Sequence, residues 1–182
     1  MIKKTLLIII LALSSCADKH NPMDNVRFNH KQLYNFNVAS IDIIDNASID
    51  EFDIDREVDM AVNIWAKDRL QASGEQDYRF KLIINRASIK EKILPSKENF
   101  THDQILYNLE MDVKFELYEK DPLLPKAEMN ISINRSKSIE ENKPIYEKKL
   151  LRHQLVSEAI TAFDLEFDKN FAKYFSNIVQ IN

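Results

Sequence analysis

Apolar and polar residues alternate with a period of two through much of the second half of the chain. The longest run of alternating apolar residues is Tyr107, Leu109, Met111, Val113, Phe115 and Leu117. A second run extends from Ala127 to Ile133, and an earlier one begins at Tyr78 and changes phase after Asn85. This alternation is typical of strands with one buried and one solvated face. The change of phase predicts a bulge or bend in the first of the three strands.

Two other segments have the periodicity of helices. In residues 48–74 apolar residues recur every three or four positions, and the segment ends at the chain's one glycine, Gly74, which suits a position just after a helix. Ser48 and Glu51 have the spacing of a capping box at its start. A second apolar stripe begins after Pro144 and continues almost to the C-terminus. Because a helix of that length exceeds one face of the domain, we expect it to break or to project.

The order of these elements predicts the fold class. Residues 36–44 are apolar, rich in β-branched side chains and partly alternating, so the first element is predicted to be a strand. The order is then β-α-β-β-β-α, and no helix lies between the last three strands. We therefore predict an α+β fold, a two-layer sandwich in which two helices cover one face of a mainly antiparallel four-stranded sheet.

The first sixteen residues have the pattern of an export signal. Lys3 and Lys4 precede the apolar segment Leu6–Leu13, which is less than half the length needed to span a bilayer. The motif LSSC, which ends at Cys16, resembles the bacterial lipoprotein box. The resemblance implies cleavage before Cys16 and attachment of a diacylglycerol and an acyl chain to it, with no other cofactor. The alternative is an ordinary signal peptide followed by an unmodified cysteine.

This anchor divides the chain into three parts. Residues 1–15 are predicted to be the lipoprotein signal peptide, and residues 16–34, which are polar and aperiodic, the lipidated N-terminus and a flexible tether. Residues 35–182 are predicted to form a single α+β periplasmic domain. Ala17 stands where an aspartate would, in the enterobacterial pattern, favour the inner membrane. The predicted location is therefore the bacterial envelope, lipid-anchored at the outer membrane and facing the periplasm.

Charge and glycine content exclude several function classes. Without residues 1–15 the chain has 23 basic and 29 acidic residues. This excess of acidic residues argues against nucleic acid as a partner and against binding of anionic lipid through a polybasic segment. A chain with one glycine cannot contain the glycine-rich loops that bind nucleotide phosphates. With Cys16 lipidated, no disulfide forms within the chain.

We find no pattern of residues that indicates catalysis or a metal site. The four histidines are His20, His30, His102 and His153. Their spacing matches no zinc motif, and the acidic pair Asp53 and Asp55 lacks the glycine that a calcium loop requires five positions on, where Val58 stands. Ser136 and Ser138 have no base nearby in the sequence. The prediction is therefore no catalytic residue and no metal, with an enzyme of dispersed site residues as an alternative.

Two groups of residues are candidates for binding. Aromatic residues in a polar loop and near the end of the second helix are candidates for contact with a protein partner, with core packing as the alternative. They are Phe100, Phe171, Tyr174 and Phe175. Basic residues on two of the strands are candidates for contact with an anionic ligand, with a solvated surface as the alternative. They are Arg79, Lys81, Arg86 and Arg135.

The order of elements on a lipid-anchored domain of this size resembles the LPS-assembly lipoprotein (LptE-like) family. YNLEMDVKFEL corresponds to a central strand and MNISINRSKS to the next, before a long terminal helix. The resemblance implies contact with an outer-membrane β-barrel protein and with lipopolysaccharide, although the acidity of the chain departs from it. The predicted function is a non-catalytic assembly or transport accessory that acts through protein–protein contact. The alternative is a lipid or small-ligand binding lipoprotein with a pocket between the helices and the sheet.

Overall fold

The fold is described by a computed structural model of residues 23–47, 56–74, 77–96, 102–119, 123–175 and 179–180. Cys16 and Phe100 lie outside these residues. The strands are β1 (Tyr34–Phe36), β2 (Ser40–Asp45), β3 (Leu70–Ala72), β4 (Arg79–Leu94), β5 (Gln104–Tyr118), β6 (Ala127–Glu140) and β7 (Val179–Gln180). The helices are α1 (Arg56–Arg69) and α2 (Ile145–Phe175).

The main sheet has four strands in the order β2-β4-β5-β6. β4, β5 and β6 form an antiparallel meander, and β2 pairs with β4 in parallel. α1 packs against β4, and α2 packs against β5 and β6. The predicted α+β sandwich with two helices on a four-stranded sheet is therefore confirmed.

The alternation along β4 and β5 determines which face of the sheet is buried. The six alternating apolar residues of β5, from Tyr107 to Leu117, are at most 3% exposed. The predicted irregularity in β4 is also present, because the pairing with β5 shifts register between Ile84 and Arg86. The shift keeps Ala87 on the buried face with Ile84, although the two residues are three apart.

Aromatic rings fill the space between α2 and the sheet. Phe167 is fully buried, and its ring centroid lies 4.8–5.3 Å from those of Tyr34, Trp65, Phe115 and Phe171. Ring pairs at these distances stabilise a core beyond the burial of their area. The space where the alternative function placed a ligand pocket is thus occupied here by side chains.

The predicted first strand is two strands in two different sheets. β1 pairs with β3 in parallel and with β7 in antiparallel fashion, whereas β2 belongs to the main sheet. Two backbone hydrogen bonds hold the segment where β1 gives way to β2. The amide of Ser73 donates to the carbonyl of Phe36, and the amide of Gly74 donates to the carbonyl of Val38. These bonds draw the backbone away from the main sheet, so the prediction of one strand over 36–44 is wrong.

Both helix ends differ from the sequence-based expectation. α1 ends at Arg69 rather than near Gly74, because the next three residues pair with β1 as β3. Gly74 lies in the turn that follows, with a φ of +81° that favours glycine. The expected capping pair, Ser48 and Glu51, lies outside the described residues.

The second helix is continuous over its 31 residues, a length of about 46 Å. The expectation of a break is wrong, and the C-terminal end of the helix does not project, because Phe171 and Phe175 there are buried in the core. The chain then returns as β7 beside β1. Neither helix in the described part of the chain is both long and apolar enough to span a bilayer.

The packed domain begins before residue 35. Phe28, in the segment predicted to be a flexible tether, is 2% exposed and belongs to the hydrophobic core. Burial of one aromatic side chain stabilises the packed state by about 2 kcal/mol, which favours the ordered position of this segment. From Phe28 to residue 34, the segment therefore differs from the expected tether.

Replacement of Phe167 by alanine is expected to lower the free energy of unfolding by about 3–5 kcal/mol, because a buried ring is lost and a cavity remains. Urea unfolding followed by circular dichroism measures the change. Leu165→Ala on the same helix is the matched control. Since Leu165 is 57% exposed, its replacement should change the stability by only about 0.5 kcal/mol. Equal effects of the two substitutions would contradict the description of this core.

Candidate functional site

A groove lies on the face of the sheet that the helices leave open, and its volume is about 270 Å³. We call it the open-face groove. It is lined by Lys90, Asn108, Leu109, Glu110, Asn134, Arg135 and Ser136. The pairing of the strands assembles it, since Asn108 of β5 lies between Lys90 of β4 and Ser136 of β6. Asn108 and Glu110 flank the buried Leu109, so their side chains point to the open face.

Positive charge predominates in the open-face groove. The Oε2 atom of Glu110 accepts from Nη1 of Arg86 at 3.0 Å and lies 3.7 Å from Nζ of Lys90. Arg135 donates from Nη1 to the carbonyl of Asn134 at 3.0 Å. Arg135 pairs with the buried Leu109, so its side chain belongs to the other face and only its backbone lines the groove. Two cations, Arg86 and Lys90, therefore meet one carboxylate on the open face of a chain whose net charge is negative.

The groups in the groove can bind a small polar anion. The Arg86 and Lys90 side chains are 63% and 69% exposed, so their ion pairs with Glu110 are weak and exchange readily with a ligand. Guanidinium and ammonium groups bind phosphate and carboxylate oxygens. The amides of Asn108 and Asn134 can both donate to and accept from ligand hydroxyls. A volume below the range of drug-sized pockets suits a group about as large as one sugar ring.

The structure brings together only part of the predicted anionic-ligand set. Arg86 lies beside the open-face groove, where it bonds Glu110. Arg135 lines the groove with its backbone, whereas its side chain is on the face of its register partner Leu109. Arg79 and Lys81 lie near the start of β4, where Arg79 pairs with Tyr118 and the Lys81 ammonium lies 4.3 Å from the Tyr118 ring centroid. Five residues separate Lys81 from Arg86, about 16 Å along a strand, so the four residues do not form one patch.

The predicted partner contacts at the end of α2 are mostly internal. Phe171 and Phe175 are 2% and 1% exposed, because both rings pack beneath α2 with Phe36 and Phe80. They are core residues and do not form a contact surface. Tyr174, which is 40% exposed, remains at the surface.

A cluster of buried polar groups joins the N-terminal segment to both helices. Asp164 of α2 is fully buried, and its Oδ1 accepts from Trp65 Nε1 and from Arg69 Nε of α1, each at 2.8 Å. Its Oδ2 accepts from the ammonium of Lys31. A buried carboxylate needs such partners, because an unpaired charge away from water is costly.

The cluster continues along α2 to Asp168. The carboxylate of Asp168 accepts from Arg69 and, at 2.7 Å, from the hydroxyl of Tyr34. Arg69 also donates to the carbonyl of Gln32. Burial of the Tyr34 phenol, together with its hydrogen bond to Asp168, raises the pKa of Tyr34 to about 12.

A second polar contact holds the N-terminal segment to α1. Arg27 donates to both carboxylate oxygens of Asp68, at 2.7 and 2.8 Å, and the backbone amide of Phe28 donates to the same group at 2.9 Å. The hydrogen bond from Arg27 lowers the pKa of Asp68 below its ordinary value. We refer to the contacts of Arg27, Lys31 and Tyr34 with the helices as the N-terminal clasp.

The sequence alone predicted neither the open-face groove nor the polar cluster around Asp164. Lys90 and Glu110 of the groove are twenty residues apart, and only the register of β4 and β5 shows that they meet. Asp164 did carry a signal, because it interrupts the apolar stripe of α2 between Ile160 and Phe167. A charged residue at a buried helical position indicates a partner on a neighbouring element.

Of the histidines, His30, His102 and His153 are in the described residues, where no three histidine, cysteine or acidic side chains lie close enough to hold a metal ion. His153 contacts the backbone instead, with its Nε2 atom 3.0 Å from the carbonyl oxygen of Asp24.

No family model and no curated protein matches the sequence. Among solved structures, the chain is similar to a minor lipoprotein from Acinetobacter baumannii, with 12% identity over 72% of this chain and 92% of that one, at a TM-score of 0.44. It is also similar to rare lipoprotein B from Shewanella oneidensis, with 13% identity over 74% and 97% of the two chains, at a TM-score of 0.37. Both are bacterial lipoproteins by name. Because the scores are low, the proposals below rest on the residues of this chain.

Replacement of Tyr34 by phenylalanine is expected to change how stability depends on alkaline pH. The pKa of Tyr34 is about 12 in the folded chain, against about 10 for an exposed tyrosine. The folded state thus favours the neutral phenol, a contribution to stability that is complete below pH 10 and is lost as the pH rises to 12. Tyr34→Phe should therefore lose less stability than the wild type across this window. Urea unfolding at several pH values measures the difference.

The matched control is Tyr146→Phe, which removes a phenol that is 53% exposed and leaves the bond between Tyr34 and Asp168 in place. A Tyr34→Phe slope equal to that of the wild type would contradict the described environment of Tyr34.

Proposed function

We propose that this protein is a lipid-anchored protein of the bacterial envelope that acts by binding and carries out no catalysis. In its finer form, it is an accessory for lipopolysaccharide assembly at the outer membrane, and its partner is a β-barrel protein. The observation that carries the proposal is the N-terminal signal, in which Lys3 and Lys4 precede Leu6–Leu13 and the motif ending at Cys16. A single folded domain attached to such an anchor functions beside a membrane.

An exposed apolar surface supports contact with a protein. Ile93, Ile145 and Tyr146 are 56%, 72% and 53% exposed. Ile93 of β4 pairs with Ile105 of β5, which in turn pairs with Ile139 of β6. α2 begins shortly after β6 ends. These residues therefore lie at the same end of the sheet, which we call the hairpin end. Exposed apolar side chains that lie together are typical of protein–protein contact surfaces.

The open face of the sheet also favours binding over acid–base chemistry. In the open-face groove the carboxylate of Glu110 is already bonded to Arg86 and lies close to Lys90. The lining of the groove includes no second carboxylate and no histidine, so the described part of the chain offers Glu110 no partner for acid–base catalysis there.

The anchoring can be tested in cells with Cys16→Ser. The variant is expected to lose incorporation of labelled palmitate and to leave the membrane fraction, because it has no thiol to acylate. Ser14→Ala is the matched control, since it changes the same motif and keeps the thiol. Retention of the label by Cys16→Ser would contradict the proposed anchor.

The identity of the partner can be tested in the same strains with the photo-crosslinking residue p-benzoylphenylalanine in place of Ile145. Crosslinking at the hairpin end is expected to recover an outer-membrane β-barrel protein from cells with the anchored chain and to fail in the Cys16→Ser background. The control site is Asn130, which is exposed on the open face of β6. Equal recovery of the same protein from both sites, or recovery of no barrel protein, would contradict the partner.

A second candidate function is small-ligand binding at the open-face groove. The observation that favours it is the convergence of Lys90 and the amides of Asn108 and Asn134 around a space of about 270 Å³, with Arg86 beside them on Glu110. The chemistry fits an anionic, polyhydroxylated group. An apolar ligand between the helices and the sheet is not supported by the packed rings around Phe167.

Glucose 6-phosphate is a suitable probe for this function. In a titration followed by two-dimensional NMR, the amides of Asn108, Glu110 and Asn134 are expected to shift, and glucose should shift them less. Lys90→Gln should weaken the binding by about tenfold, because one charge-assisted hydrogen bond is lost. Lys114→Gln, on the same face but outside the groove, is the matched control. Equal weakening by both variants would contradict a specific site.

A further inference from the structure

We propose that the helices of this protein face the membrane and that the open face of the sheet points away from it. The inference rests on the proposed lipidation of Cys16. It follows from where the N-terminal segment first contacts the folded domain and from how few residues separate that contact from the anchor.

The first contacts of the N-terminal segment are with the helices. The carbonyl of Asp24 lies 3.0 Å from Nε2 of His153 on α2, and the side-chain amide of Asn25 lies 3.8 Å from the sulfur of Met60 on α1. The chain therefore enters the domain on the helical side, opposite the open face of the sheet.

The segment is held there by charged and apolar contacts together. Arg27 forms a two-point ion pair with Asp68, the Phe28 ring is buried, and Lys31 contacts the buried carboxylate of Asp164. Detachment of the segment would leave the fully buried carboxylate of Asp164 without the Lys31 ammonium, which is unfavourable because a buried charge needs its partners. The point at which the anchor is attached to the domain is thus at the helices and not at residue 35.

The remaining tether is short. Six residues lie between Cys16 and Met23, the first described residue. The seven steps from one to the other span at most about 25 Å at 3.3–3.6 Å each. A tether from residue 16 to residue 34 would reach about 60 Å, which exceeds the width of a domain whose radius of gyration is about 15 Å. The longer tether would leave the orientation free, whereas the shorter one keeps the helical side near the lipid.

The open face then lies on the far side of two packed layers. A sheet and the layer stacked on it are about 10 Å apart, so positions on the open face are at least that much farther from the bilayer than positions on the helices. In this orientation the open-face groove is accessible from the periplasm rather than from the membrane to which the protein is anchored.

The orientation can be measured by energy transfer from a donor on the protein to acceptor-labelled lipids. Lipidated Cys16 has no free thiol and is the chain's one cysteine, so an introduced cysteine is the single labelled site. Met60→Cys marks the helical side, because Met60 is 49% exposed on α1. Asn130→Cys marks the open face. Each full-length lipidated variant is placed in phosphatidylethanolamine–phosphatidylglycerol vesicles.

We expect the transfer rate at position 60 to be at least about twofold higher than at position 130, because the two positions differ in depth by about 10 Å or more. A linker of about 20 Gly/Ser residues inserted after Asp18 should remove most of this difference, since it restores free rotation. Equal transfer in the unmodified chain, or higher transfer at position 130, would overturn the orientation. Mass spectrometry of the same sample is a separate readout, and an unmodified Cys16 would instead overturn the proposed anchoring and the inference that rests on it.

Discussion

The pairing of one buried carboxylate organises the helical side of this protein. Asp164 has no access to water, so its charge is tolerated only with donors close by. Those donors come from α1 and from the N-terminal segment, through Trp65, Arg69 and Lys31. The carboxylate on α2 therefore determines where α1 and the start of the domain lie, which packing of apolar side chains alone would specify less uniquely.

The two faces of the sheet have separate roles because the strands alternate. The alternating apolar residues of β5, from Tyr107 to Leu117, contact the core. There the rings of Trp65, Phe115 and Phe167 fill the space under the helices. The polar residues between them remain on the open face, where they are available for binding. A core packed in this way supplies stability without disulfides. The chemistry that can bind a partner or ligand is therefore confined to the open face and the exposed hairpin end.

With the proposed anchor at Cys16, the N-terminal clasp would relate this division of the sheet to the membrane. A lipid anchor by itself determines only that a domain stays near a bilayer. Attachment through Arg27 and Lys31 at the helices adds a preferred side, since few residues remain between the clasp and Cys16. In the proposed orientation the open-face groove faces the aqueous space in which a polar ligand would be found.

The sequence by itself determined the type and order of the main elements and the bulge near Asn85, because each of these depends on neighbours along the chain. It predicts the export signal on the same local basis. Side-chain period shows which residues face the core, but not which distant residues lie beside them. Only the tertiary structure decided that Phe171 and Phe175 are core residues, that Lys90 meets Glu110, and that the first strand divides between two sheets. These outcomes depend on strand register and on packing between segments far apart in sequence, where a buried charge or an unpaired backbone group requires a partner that no local pattern reveals.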